Sequence, residues 1–169
     1  KLFSFVKYKN GTFRRASLYW VPLIALFSGA RLGEICQLTV TDIKVIDGTP
    51  CIDINEEDED KSIKSAESSK RLFPIHKTLI DLDLLGYVNE IKKKKQTKLF
   101  PFEHRDLNMR FHYVQKQMSA YITNSGIIST QNHTKTFHSF RHTVRTRFVD
   151  LNIEERTIDG HINNVSEDL

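Results

Sequence analysis

Two cysteines, Cys36 and Cys51, are all that 169 residues contain, so no disulfide framework is available, and their separation fits no metal-ligand spacing. Nothing therefore points to an oxidising compartment, and a cytosolic location is expected. The longest apolar stretch, Trp20 to Phe27, falls far short of the roughly 20 residues that cross a bilayer. No charged-then-apolar leader opens the chain, so a soluble protein without a membrane partner is expected. Internal repeats are absent, as are low-complexity tracts beyond the acidic Glu56 to Asp60 and the lysines Lys92 to Lys95. Tyrosine is absent after Tyr121: the five are Tyr8, Tyr19, Tyr87, Tyr113 and Tyr121.

What is present suffices for one domain with a real core, since 39% of the residues are hydrophobic. Lysine and arginine (25) exceed aspartate and glutamate (21), giving a net charge of +4, and Arg141, Arg145 and Arg147 cluster late. That imbalance favours a polyanionic partner. Lys92 to Lys95 reads most simply as a solvated helix end.

Ser17 is placed to cap a helix carrying Trp20, Leu23, Ile24 and Phe27, with Pro22 in its first turns and Gly29 as its stop. A second helix carries Leu32, Ile35 and Leu38 and leaves Arg31 at its start. From Asp42 to Ile54 the pattern turns to alternating Ile43, Val45, Ile52 and Ile54 around Asp47-Gly48, and Arg71 to Ile75 follows, predicting a small antiparallel sheet. The intervening Glu56 to Ser69, with Lys61 and Lys64 on it and Lys70 beside it, has no apolar period and is expected to be exposed and mobile. Leu79 to Ile91 and Leu107 to Tyr121 read as helices, the latter with Phe111, Val114 and Met118 inward. A last helix begins near His138 with Phe140, Val144, Phe148 and Leu151 as its apolar stripe, leaving His138, Arg141, His142 and Arg145 opposite. Tyr19 and Tyr113 fall beside apolar segments and read as packing aromatics. The fold class is mainly α with a small antiparallel β-sheet.

The chemistry lies in a dispersed set: Arg31 in Ser28-Gly29-Ala30-Arg31-Leu32-Gly33-Glu34, then His138-Ser139-Phe140-Arg141-His142, then Gly160-His161. Guanidinium forks match phosphate oxygens and stay charged at working pH, so two converging on one phosphodiester would stabilise a pentacoordinate transition state. With Lys70-Arg71-Leu72-Phe73-Pro74-Ile75-His76, these segments resemble the catalytic domains of tyrosine recombinases of the phage integrase family. The likeness runs over residues 17–165.

The resemblance implies DNA strand cleavage through a 3′-phosphotyrosyl intermediate on double-stranded DNA, strand exchange in a homotetramer, and no metal or nucleotide cofactor. Accessory DNA-bending proteins are compatible with it. Arg31 and Arg141 resemble the family's phosphate-binding arginines, His138 the histidine of the His-x-x-Arg pair, and Glu34 an acidic residue that supports the first arginine's helix, although by itself Glu34 reads as a structural helix-start carboxylate. Lys64 is the best match to the β-hairpin lysine that protonates the leaving 5′ oxygen, with Lys61 and Lys70 as alternatives. His161 resembles the late histidine, although Asp159 stands where relatives carry an apolar residue.

In relatives the nucleophile follows that histidine by about nine residues, and only Ile162 to Leu169 remain here. With Lys rather than Met at the start, the expectation is an excised catalytic domain, residues 1–169, without its N-terminal DNA-binding domain and its C-terminal tail. Three other readings compete. A zinc site on His138, His142 and His161 would want a carboxylate base where this helix offers arginines. A catalytically inactive, recombinase-derived DNA-binding protein would account for the missing tyrosine. A type IB topoisomerase shares the chemistry but not the short, integrase-like connections.

Overall fold

The structure, a computed structural model, describes residues 13, 15–57, 61, 70–101, 107–124, 136–155 and 157. Helix α1 (Ala16–Ser28) runs through the centre of the molecule, with Val21, Leu23, Ile24 and Ala25 all buried. Arg15, not Ser17, is its N-cap, and Ser17 is buried as the second residue of the helix. Pro22 lies in the helix interior rather than the first turns. Burial of the surrounding apolar residues outweighs the roughly 3 kcal/mol that an interior proline costs. Gly29 ends the helix in the left-handed region (φ 67°), where a side chain would be strained, and its N–H donates to the Ala25 carbonyl at 2.9 Å.

Helix α2 (Leu32–Cys36) follows at once, burying Ile35 and Cys36, and leads through a 3-10 turn at Val40–Asp42 into the sheet. Strands β1 (Ile43–Ile46), β2 (Thr49–Ile54) and β3 (Arg71–Pro74) pair antiparallel in the order β1-β2-β3. Asp47 and Gly48 both have positive φ, the two-residue hairpin geometry expected of Asp-Gly. Ile43, Ile52 and Phe73 stand opposite one another across the three strands. Val45 is exposed, because the hairpin tip extends beyond the core.

The predicted helix at residues 79–91 is two helices, α3 (Lys77–Asp81) and α4 (Leu84–Lys93). The buried residues explain the break. Leu79 on α3 and Leu84 on α4 are five apart, which no single helical stripe accommodates, and a turn at Leu82 and Asp83 (φ 68°) resets the phase before Val88 and Ile91. Lys92 to Lys95 are exposed at the C-terminal end of α4, where cations suit the helix dipole. Leu99 and Phe100 return to the core, and the Tyr87 hydroxyl donates to the Leu99 carbonyl at 2.8 Å.

Helix α5 (Leu107–Asn124) buries Val114, Met118 and Ile122, with Phe111, Tyr113 and Tyr121 packed at the core's edge beside Tyr19. Helix α6 (Ser139–Asp150) packs on α1. Of its expected apolar stripe, Val144 is buried and Phe140 and Phe148 are half-buried, but Leu151 is exposed, and Arg141, expected on the opposite side, is buried.

Candidate active site

Gly29 turns the chain so that Arg31 becomes the N-cap of α2. From that position Arg31 meets Glu34 twice: its backbone N–H donates to Oε2 at 2.8 Å, and Nη1 donates to Oε1 at 2.8 Å. Glu34 is buried, and its Oε2 also accepts from Nη2 of Arg71 on β3 at 2.7 Å. Burial pushes the Glu34 carboxyl up. The charge of Arg71 and the hydrogen bonds from Arg71 and Arg31 prevail, holding it below the usual carboxylate range. The Arg31 guanidinium is thus fixed from behind, while 35% of the side chain stays open to solvent.

Arg141 reaches the same place from α6. Its Nη1 donates to the Gly29 carbonyl at 2.9 Å, tying the end of α1 to a residue 112 positions later. Burial lowers its pKa to about 10, and Arg31, Arg71 and Arg145 add to the depression while Glu34 opposes it. Three guanidiniums therefore bear on one another around one carboxylate, an arrangement with a surplus of positive charge. Such a site is built to receive an anion, and arginine forks select phosphate geometry.

His138 sits at the start of α6, its ring 4.8 Å from that of His142 in an edge-on arrangement. Burial lowers its pKa below 6.5, and the charges of His142, Arg141 and Arg31 lower it further. The folded protein therefore holds fewer protons here than the unfolded chain, so this group's contribution to stability diminishes as pH falls through about 6.5. A phosphate at the arginines reverses the local field and raises the histidine pKa. Binding of sulfate at the arginines is expected to take up a proton and to strengthen between pH 8 and pH 6. Calorimetry in buffers of different ionisation enthalpy measures the uptake, and His138→Gln should remove it.

Arg31, His138 and Arg141 are thus brought together, whereas Lys64 and His161 lie outside the described residues. His161 was also the third ligand of the zinc reading. Lys61 is described, and it is not a mobile loop lysine. Its side chain is 3% exposed, and Nζ donates to Asp42 Oδ1 at 2.8 Å and to Asn55 Oδ1 at 2.7 Å. A buried cation needs such pairing, and an ammonium held there serves the protein's interior. Lys70 is exposed, 3.8 Å from Glu56.

The expectation that Arg141 lies opposite the buried stripe of its helix does not hold, because its guanidinium caps the end of α1. Sequence reasoning also missed Arg71 as a partner of Glu34. The signal was available: Arg71 shares the inward phase of β3 with Phe73, and a charge at an inward position must be paired. Among the described residues, no helix is long and apolar enough to cross a membrane.

The family model described as "Phage integrase family" matches residues 1–163 of the chain. No curated protein matches the sequence. The crystal structure of XerA recombinase is similar in fold, with a TM-score of 0.58 at 18% identity over 88% of this chain. The matched region is 49% of that recombinase, so the chain spans about half its length.

Proposed function

The chain belongs to the phage integrase family, and from that premise we propose that residues 1–169 form the catalytic domain of a tyrosine-type site-specific recombinase acting on double-stranded DNA. The convergence of Arg31 and Arg141 on one place, through Glu34 and the Gly29 carbonyl, is the observation that carries this reading. In it, the two guanidiniums grip the non-bridging oxygens of one phosphodiester, and His138 hydrogen-bonds the same phosphate. His161 completes the set.

A tyrosine oxygen attacks phosphorus and gives up its proton to solvent water. The bond to the 5′ oxygen breaks, and that oxygen takes a proton from Lys64. The product is a 3′-phosphotyrosyl link and a free 5′ hydroxyl. Attack by a 5′ hydroxyl on that link reverses the step, so rejoining consumes no high-energy cofactor. In this reading the nucleophile is none of the five tyrosines here, all of which precede the His138 helix. A homotetramer assembled on DNA exchanges the strands, with a second domain gripping the opposite face of the duplex.

The test is covalent trapping. Protein including the residues encoded after Leu169 is incubated with nicked duplex carrying its attachment site, and denaturant-resistant adducts are mapped. An adduct on a tyrosine beyond Leu169 is expected. No adduct, with salt-sensitive DNA binding intact, would instead identify a recombinase-derived DNA-binding protein.

A further inference from the structure

The Arg71 side chain is 2% exposed, and it is the buried partner of the carboxylate that holds Arg31. We infer that Arg71 is a positioning residue for phosphate binding, acting through Glu34 to fix the Arg31 guanidinium. The inference rests on the phosphate role proposed for Arg31 and adds a residue from the sheet to a site otherwise built from helices.

The geometry has three parts. Glu34 Oε2 is shared, accepting from the Arg31 backbone N–H at 2.8 Å and from Arg71 Nη2 at 2.7 Å, which leaves Oε1 for the Arg31 guanidinium at 2.8 Å. A carboxylate held at one oxygen by a rigid strand presents its other oxygen in a fixed direction, so Arg71 sets the direction in which Arg31 is drawn. Arg71 itself is immobilised: its side chain is 2% exposed and its guanidinium lies 6.0 Å from the Phe73 ring centroid on the same strand. Second, Phe111 from α5 packs closely on Gly33, the residue before Glu34: an added Cβ there would lie 3.3 Å from its ring, so the backbone at the start of α2 sits tight against α5. Third, the groups facing Glu34 are of one sign: Arg31 on its own helix, Arg71 on β3 and Arg141 on α6. Of these, Arg71 is the one that contributes most to keeping the buried carboxyl ionised.

Loss of the Arg71 charge therefore has a signature that loosened packing would not produce. Burial then outweighs the remaining cations more nearly, Glu34 takes up a proton at higher pH, and a protonated Glu34 no longer draws in the Arg31 guanidinium. The same strand also ends the connection that carries Lys64, so Arg71 joins the root of that connection to the helix bearing Arg31.

Arg71→Met and Arg71→Lys in the full-length protein make the test, with two readouts. Side-chain carbon NMR follows the Glu34 carboxyl, assigned through Glu34→Gln, and the Arg31 Nε–H signal reports guanidinium order. Cleavage of nicked duplex is followed as a function of pH. In Arg71→Met the Glu34 titration should move to higher pH, the Arg31 signal should be lost in step with it, and the acid limb of cleavage should move with both. Cleavage at pH 7 should fall roughly tenfold to hundredfold, as expected when a binding group is misplaced. Arg71→Lys should restore part of each. A folded Arg71→Met protein with an unchanged Glu34 titration and Arg31 signal would overturn the inference, as would an unchanged pH profile in a cleaving protein. If the wild type forms no adduct the recombinase reading fails on its own, and the NMR titration still decides the link from Arg71 to Arg31.

Discussion

Arg141→Met in the full-length protein is expected to reduce strand cleavage by at least about a hundredfold to a thousandfold, the usual consequence of removing one preorganised donor from a developing oxyanion. Methionine keeps the apolar stem that packs beneath the guanidinium, so the change isolates the charge. The sequence alone suggests that removing this arginine leaves folding nearly untouched. The structure changes that expectation. Arg141 is 9% exposed and donates to the Gly29 carbonyl, so its loss leaves a buried acceptor without that donor, costing about 1–3 kcal/mol. Removing a buried cation from beside Arg31 and Arg71 offsets part of that cost. The net expectation is a melting temperature lower by a few degrees, at roughly 2–4 °C per kcal/mol for a chain of this size. Thermal melting and adduct formation, measured on the same preparation, separate the two effects. A folded Arg141→Met protein that cleaves at the wild-type rate would remove this residue from the phosphate site.

The sequence was legible where one signal dominated. Asp47-Gly48 between β-branched runs specified the hairpin, Gly29 stopped α1, and Phe111, Val114 and Met118 placed α5. It failed where two signals competed. Ser17 and Pro22 argued for a later helix start, but neither local preference outweighs a segment whose every turn is buried. In α6 the pattern placed Phe140, Val144 and Phe148 inward correctly, but it could not show that packing against α1 buries the neighbouring Arg141 as well. Arg31, His138 and Arg141 were visible as residues, but the carboxylate that organises them was visible only as a helix-start glutamate. Its partner Arg71 lies 37 positions away on a strand, a distance that local pattern cannot bridge.

Glu34→Gln is expected to destabilise the protein by about 3–5 kcal/mol, the range for breaking a buried ion pair, and so to lower its melting temperature by about 10 °C. The amide is nearly isosteric, so the loss comes from charge and from donor count. Three donors now reach the carboxylate: the Arg31 N–H, Arg31 Nη1 and Arg71 Nη2. A glutamine turns one of its two acceptors into a further donor facing one of them. The pH dependence distinguishes this from a packing defect. Because the folded-state pKa of Glu34 lies below 4.5, its contribution is present above that value and is lost as pH falls through the lowered one. The gap in stability between wild type and variant should therefore be full near pH 7 and close in acid. Sulfate supplies the complementary test. With the carboxylate neutralised, Arg31, Arg71 and Arg141 face one another without their shared counter-charge, so a bound anion should raise the melting temperature of Glu34→Gln more than that of the wild type. Equal responses to sulfate and to pH in the two proteins would mean that the guanidiniums do not depend on Glu34 for their charge balance. The same cluster would then have to be held together by packing alone.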